Sequence, residues 1–229
     1  MKNLTQIKKL LAYIVVPVIF TIAGYGVLRV ALTPVWYLAS TAAYFLIADN
    51  AVSFEEELND TYNPEDELPV YEEEFIDSKD ISMPKAGEKY GNLECERIKL
   101  NAPVYWGDSN KILRSGAGTD IASFPPGFGR VITICAHNTT FFKPMKNIQV
   151  GDLISFNTKY EKYTYKITDV EVINEIKLQE KFDKLILDEN EVLMLYTCYP
   201  FHAISGRKTN RLVAFGERIE GLSVKWREE

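Results

Sequence analysis

From about residue 81 onward, short apolar or alternating runs are separated by Gly, Pro, Asn and Asp, and this pattern most constrains the fold. Runs of this length are typical of β-strands, and the separating residues are typical of turns. Two runs, residues 131–134 and 192–196, are almost continuously apolar, which predicts central strands buried on both faces. The pattern predicts an all-β domain, either a closed barrel or a sandwich, with a few short helices. The predicted strands are residues 92–98, 101–105, 130–137, 152–157, 162–173, 192–198 and 210–218, and the helical turns are residues 108–115 (capped by Asp108), 141–147 and 181–187.

The N-terminal segment has the pattern of a membrane anchor. Residues 10–28 carry no charged side chain and are long enough to cross the ~30 Å hydrocarbon core of a bilayer as a helix. Lys8 and Lys9 precede this run, which places the N-terminus in the cytoplasm by the positive-inside rule. We therefore expect a cytoplasmic tail at residues 1–9 and an uncleaved transmembrane helix at residues 10–32.

A second uncharged run, residues 30–48, follows after Arg29 and leaves the membrane topology open. One helix over both runs would be ~58 Å long, too long for a single span, and Pro34 is expected to break it. Two spans would return the folded domain to the cytoplasm. A single span would leave residues 33–48 as an apolar juxtamembrane segment whose aromatic side chains lie near the outer interface. We favour the single span, partly because of the function considered below.

Residues 49–80 are predicted to form an acidic stalk between the anchor and the folded domain. Their runs of Glu and Asp repel one another and favour a solvated chain, and Pro64 and Pro69 interrupt any helix. A flexible spacer is one interpretation, and a lid that folds over a site through Leu68 and Tyr71 is the other. Residues 55–80 carry twelve acidic side chains and one Lys, so the stalk is more negative than the whole chain, whose net charge is −6. No basic cluster indicates a nucleic-acid partner.

The candidate chemical groups lie at the ends of three predicted strands. The chain has three cysteines and no CxxC pair, which argues against a disulfide framework. His137 ends the strand 130–137, Cys198 ends the strand 192–198, and Arg211 opens the strand 210–218. A thiolate can attack a carbonyl, a histidine can supply a proton, and an arginine can stabilise an oxyanion.

Spacing alone leaves alternatives to each of these assignments. Cys135 and His137 share one face of their strand, so Cys135 is a rival nucleophile, and His137 could instead be structural. Arg207 competes with Arg211, and His202 is a further loop histidine. The scattered His and Cys residues do not have the paired spacing of a metal site, so no metal is expected.

Three of these segments resemble the active-site motifs of sortases. Residues 195–198 (LYTC) resemble the TLxTC signature, with Met194 in place of its first Thr. Residues 134–138 (ICAHN) resemble the strand ending in the family's catalytic His, with Ala136 where Gly is common. Residues 210–213 (NRLV) resemble the strand start that carries its Arg. The order His, Cys, Arg also agrees, and the similarity extends over about residues 81–218, including residues 84–91, 102–108 and 145–152.

The resemblance implies a closed eight-stranded β-barrel, a catalytic domain at residues 81–229 and no cofactor. Cys198 would attack a Thr carbonyl of an LPxTG-like sorting signal and form a thioacyl-enzyme. His137 would protonate the leaving amine, and Arg211 would stabilise the oxyanion. The partners would be the sorting-signal peptide of a secreted surface protein and an amine of a cell-wall precursor or of a pilin. The domain would lie outside a Gram-positive cell membrane, held by one span.

Several finer points stay open. Residues 198–201 (CYPF) resemble class D sortases, as does the single N-terminal anchor, while class B and class C remain alternatives. Thr197 and Tyr199 flank the nucleophile and are candidate substrate-binding residues. Two other functions compete with transpeptidation: a cysteine hydrolase that does not transfer the acyl group, and a surface-binding domain with an inactive site.

Overall fold

The computed structural model describes residue 13, residues 15–26, residue 28, residues 58–201 and residues 208–226. Residues 1–54 with 204–206 form one compact unit, of which the described part is helical, and residues 55–203 with 207–229 form the other. None of the helices in the described part of the chain is both long and apolar enough to cross a membrane. The anchor at residues 10–32 thus stays a prediction from sequence, and the juxtamembrane segment lies outside the described residues.

The second unit contains eleven strands, two α-helices and two short 3₁₀-helices among its described residues. The 3₁₀-helices are Ser78–Asp80 and Lys143–Asn147, and the α-helices are α1 (Asn110–Ser115) and α2 (Glu175–Leu185). The strands are β1 (Asn59–Asp60), β2 (Phe75–Asp77), β3 (Glu88–Cys95), β4 (Leu100–Trp106), β5 (Ala117–Thr119), β6 (Ile132–Cys135), β7 (Leu153–Thr158), β8 (Lys162–Asn174), β9 (Val192–Tyr199), β10 (Asn210–Glu220) and β11 (Ser223–Lys225).

Eight of these strands close into a barrel. The main sheet has the order β1-β3-β4-β5-β6-β9-β10-β8-β7, and an additional β3–β7 pairing joins its two sides. Because β1 pairs only with β3, the other eight strands of this nine-stranded sheet form the closed barrel. The predicted closed all-β barrel is confirmed.

The central strands are buried on both faces, as their apolar runs predict. Inside the barrel, Ile132, Ile134 and Leu195 are fully buried in the main core. Outside it, Met194 of β9 packs in a second cluster with Phe182 of α2. Helix α2 therefore covers the outer face of strands that would otherwise expose apolar side chains. This explains why the side chains on both faces of β9 are hydrophobic.

Three local features differ from the sequence prediction. Helix α2 begins at Glu175 and not at residue 181, because the Asn174 side chain caps it by accepting from the Lys177 N–H. The cap of α1 is Ser109 and not Asp108, since the Ser109 hydroxyl accepts from the Ile112 N–H. Strand β5 was not predicted, because its three residues, Ala-Gly-Thr, carry no apolar alternation.

Residues 58–80 are folded onto the barrel. Strand β1 pairs with the N-terminal end of β3, and β2 pairs with β11. Ile76 is fully buried, and the Tyr71 hydroxyl donates to the Tyr160 carbonyl at 3.1 Å. Strand directions place these contacts at the end of the barrel opposite the C-terminal ends of β6 and β9. Neither the flexible spacer nor the lid describes these residues, because Tyr62 and Ile76 are buried. Leu68 is exposed, as are most of the acidic side chains.

Glu191 is a buried carboxylate at this same far end of the barrel. Its side chain is 5% exposed and accepts from the N–H groups of Gly127 and Gly129 and from the Tyr165 hydroxyl. We expect Glu191→Gln to lower the free energy of unfolding by about 2 kcal/mol, because an amide cannot accept at both positions. Thermal denaturation should show a Tm lower by about 6 °C. Glu189→Gln, at an 88% exposed side chain, is the control, and equal Tm values for both variants would contradict the prediction.

Candidate active site

Cys198 and Arg211 lie directly opposite each other on two neighbouring strands. Cys198 is near the C-terminal end of β9, and Arg211 is the second residue of β10. The antiparallel pairing of the two strands puts their Cα atoms in register, so both side chains project from the same face of the sheet. Cys198 is half-buried, and the Arg211 side chain is 19% exposed. A thiol and a permanent positive charge therefore share one site at this end of the barrel.

His137 reaches the same end of the barrel through the parallel pairing of β6 with β9. Cys135, the last residue of β6, pairs with Tyr196, and the chain then runs on through Ala136 to His137 at the rim. His137 therefore follows this strand, whereas the sequence predicted that it ends the strand. Two hydrogen bonds flank His137: the Thr197 hydroxyl donates to the Ala136 carbonyl at 2.7 Å, and the Asn138 Nδ2 amide donates to the Cys198 carbonyl at 2.7 Å. Since the contacts lie on either side of His137, they hold its backbone beside the end of β9.

The guanidinium of Arg211 is held at the rim by three acceptors. Nη1 donates to the carbonyl oxygens of Lys208 at 2.6 Å and Asn210 at 3.0 Å. Nη2 donates to Glu175 Oε2 at 3.4 Å, across from β10 at the start of α2. The site thus contains a fixed cation that is partly shielded from water.

Cys198 is the most accessible of the three thiols. Burial raises the pKa of Cys135 to about 12, although a hydrogen bond with Tyr196 opposes the shift, and burial also raises the pKa of Cys95. Both of these thiols are therefore held in their protonated, weakly nucleophilic form. The structure thus argues against Cys135 as the nucleophile, although Cys135 is only two residues from His137.

The described residues contain no group of three or more His, Cys, Asp or Glu that could hold a metal ion.

The surroundings of His137 favour the neutral form of its imidazole. Its burial and the positive charge of Arg114 lower the pKa of His137 below the usual value. Arg114 lies in the last turn of α1, and β5 follows this helix and pairs with β6. The helix and the strand that leads to His137 therefore meet at this end of the barrel.

We expect Arg114→Gln to raise the pKa of His137, because the substitution removes a positive charge and leaves the burial in place. At any pH near the two pKa values, the variant then carries a larger fraction of imidazolium. NMR titration measures this in a His202→Gln background, where His137 is the single histidine. Added salt should raise the pKa of His137 in the parent and have less effect in the Arg114→Gln variant. An unchanged pKa in the variant would contradict the contribution of Arg114.

Thr197 and Tyr199 occupy different environments. Thr197 is 1% exposed and its hydroxyl donates to the Ala136 carbonyl, so it shapes the site by holding the backbone next to His137. Tyr199 is 37% exposed, and its ring contacts that of Phe201 with centroids 6.3 Å apart. Tyr199 is thus accessible beside Cys198, and its role in substrate binding stays a prediction. The rival Arg207 and the loop residue His202 lie outside the described residues.

Three residues at the site were missed from sequence alone. Asn138 bridges to the carbonyl oxygens of Cys198 and Pro200, Glu175 contacts Arg211, and Arg114 acts on His137. The pair Asn174-Glu175 after a predicted strand is a helix-start signal that could have identified α2 and its first acidic residue. No comparable signal existed for Asn138 or Arg114, because their contacts depend on strand pairing.

Solved structures of sortases have the same fold as this chain. Sortase C from Clostridium perfringens SM101 is 27% identical, with a TM-score of 0.51 over 60% of this chain and 73% of that one. A pilus-related sortase C of Group B Streptococcus is 24% identical, with a TM-score of 0.51 over 59% and 70%. A Clostridium perfringens sortase D5 transpeptidase is 19% identical, with a TM-score of 0.53 over 62% and 86%. The last two matches support the fold alone.

The family itself follows from the sequence match to a family model. Comparison with curated protein sequences gave no match. The model of the sortase domain matches residues 93–219, more than half of the 229 residues. This range includes His137, Cys198 and Arg211, together with β6, β9 and all but the last residue of β10. Together with the barrel topology, it shows that the chain belongs to the sortase family.

Proposed function

We propose that this protein is a membrane-anchored cysteine transpeptidase that cleaves an LPxTG-like sorting signal and transfers the acyl part to an amine of a cell-wall precursor. The observation that carries the proposal is the register of β9 and β10, which sets Arg211 opposite Cys198, with His137 two residues beyond the end of the parallel neighbour β6. A nucleophile, a proton donor and an oxyanion-stabilising cation are the groups that acyl transfer through a thioester requires. The anchor, with the catalytic domain outside the membrane, rests on the uncharged run 10–28 after Lys8 and Lys9.

In the first step, the Cys198 thiolate attacks the carbonyl carbon of the signal's Thr. A C–S bond forms, and negative charge develops on the carbonyl oxygen, where Arg211 stabilises it. The C–N bond then breaks, and the leaving amine takes a proton from the His137 imidazolium. The products are a thioacyl-enzyme, a released peptide amine and a neutral His137.

In the second step, the acceptor amine attacks the thioester carbonyl. It passes a proton to His137 as the new C–N bond forms, and Arg211 again faces the oxyanion. The C–S bond breaks and returns Cys198 to the thiolate and His137 to the imidazolium. The cycle therefore needs no cofactor and consumes no net proton.

The proposed function is tested with the full chain purified in detergent. It is incubated with an LPxTG-like peptide and with an amine that carries an N-terminal glycine, and the products are identified by mass spectrometry. A ligated product is expected. Hydrolysis alone at saturating amine would instead support the cysteine hydrolase, and a surface-binding domain with an inactive site would give neither product.

A pilin-polymerising activity is the second candidate. It is favoured by the match to sortase C from Clostridium perfringens SM101, at 27% identity, because sortases of class C include those that build pili. The two activities differ in the acceptor, since pilin assembly joins the acyl group to a lysine side chain. Competition between a lysine-bearing peptide and the glycine-bearing amine in the same reaction separates them, and preferential ligation to the lysine would replace the cell-wall acceptor with a pilin.

A further inference from the structure

The first residue of α2 contacts the arginine that faces the nucleophile. Glu175 Oε2 accepts from Arg211 Nη2 at 3.4 Å, while Nη1 is held by the carbonyl oxygens of Lys208 and Asn210. From this arrangement we propose that Glu175 is a positioning residue for Arg211, so that α2 orients the cation that receives the oxyanion. The proposal rests on the proposed function, because the oxyanion belongs to that reaction.

The backbone of Glu175 is fixed independently of its side chain. The preceding residue, Asn174, pairs in register with Asn210 at the end of the β8–β10 ladder. The Glu175 N–H donates to the Thr209 carbonyl at 2.8 Å, and the Asn174 side chain caps the first turn of α2. The Glu175 carboxylate is therefore presented to β10 from a rigid point, which a positioning residue requires.

The surroundings favour an effective ion pair. The side chains of Arg211 and Glu175 are 19% and 32% exposed, so both are partly removed from water. Glu175 also lies in the first turn of α2, where the helix N-terminus favours a negative charge. A charge-assisted hydrogen bond in such a place restrains a long arginine side chain better than an exposed pair does.

The contact matters because Arg211 must already be oriented when charge develops on the substrate. Arginine has several rotatable bonds, and the two carbonyl contacts hold only Nη1. Without Glu175, the guanidinium can rotate about that anchor and spend less time facing the cross-strand Cys198. A preorganised donor loses much of its effect when it must be reoriented during the reaction.

The test compares Glu175→Ala with Glu171→Ala in the full chain in detergent. Glu171 is a matched control because it pairs with Lys181, and so joins β8 to α2 without touching Arg211. Single-turnover acylation of Cys198 by the sorting peptide should slow about tenfold in Glu175→Ala and less than about twofold in Glu171→Ala. In the double variant, Glu175→Ala should cause no further loss of the acylation rate beyond that of Arg211→Ala alone.

A second readout separates positioning from general damage to the site. Alkylation of Cys198 by iodoacetamide forms no oxyanion, so its rate should be unchanged in Glu175→Ala. Equal acylation in Glu175→Ala and the parent would overturn the proposal. A loss of the alkylation rate equal to the loss of the acylation rate would also overturn it, because the site would then be damaged in general. So would acylation losses of Glu175→Ala and Arg211→Ala that multiply in the double variant, because Glu175 would then act through another group.

A third readout does not depend on the substrate. The Nε–H resonance of Arg211, assigned by its disappearance in Arg211→Ala, should shift or broaden in Glu175→Ala and stay in place in Glu171→Ala. If the parent forms no acyl adduct with any sorting peptide, the proposed function fails, and this resonance still decides the positioning role. If the Arg211 resonance is unchanged in Glu175→Ala, the positioning role is overturned.

Discussion

Replacing Cys198 with Ala is expected to abolish the thioacyl adduct and to lower transpeptidation by at least about 10⁴-fold, because no other accessible thiol replaces the nucleophile. Cys198 is half-buried at the rim of the barrel, whereas Cys95 and Cys135 are 2% and 8% exposed. The adduct is measured by mass spectrometry after a short reaction with the sorting peptide. Its position in the chain is then mapped by proteolysis.

Cys135→Ala is the matched control for this result. Burial keeps the Cys135 thiol protonated by raising its pKa to about 12, so its loss should leave acylation within about twofold of the parent. Both variants are compared by thermal denaturation to exclude unfolding. An adduct mapped to Cys135, or activity retained in Cys198→Ala, would overturn the assignment of the nucleophile.

Arg211→Ala should reduce kcat/KM by about 10²–10³-fold, the usual effect of removing an oxyanion-stabilising group. The physical reason is the register of β10 with β9, which places this cation across from Cys198. Arg211→Lys should recover only part of the loss, because an ammonium keeps the charge but not the forked geometry of a guanidinium. Steady-state kinetics with the sorting peptide and amine measure the effect.

Two controls make the Arg211 result specific. Arg218 lies on the same strand at the far end of the barrel, where it contacts the Leu222 carbonyl and the Ser223 hydroxyl, so Arg218→Ala should change stability more than kcat. Arg207→Ala tests the rival cation. A large loss in Arg207→Ala with near-normal activity in Arg211→Ala would move the oxyanion role to Arg207.

The strands with strong patterns were predictable from sequence. The apolar run in β9 and the alternation in β8 correspond to observed strands within one or two residues, because burial on two faces or on one face sets the pattern. Strand β5 and the start of α2 were not predictable in the same way. Three small residues carry no pattern, and the cap of α2 acts through one side-chain hydrogen bond.

The acidic segment shows a different limit of sequence reasoning. Its charge predicts a solvated chain, yet Tyr62 and Ile76 are buried against the barrel. Composition averages over the segment, whereas folding depends on the few apolar side chains that find a complementary surface. That surface is formed partly by β11, more than a hundred residues later, so nothing local in residues 58–80 could have indicated it.

By itself, the sequence determined the class of fold, the family resemblance and the order His137, Cys198, Arg211, because periodicity and short motifs are local properties of the chain. Only the tertiary structure decided how these groups meet. The β9–β10 register places Arg211 opposite Cys198, and burial separates Cys198 from Cys135. The contact of Glu175 with Arg211 joins residues 36 positions apart. Such relations depend on which strands pair and in which register, and pairing between distant segments is set by the closure of the whole barrel.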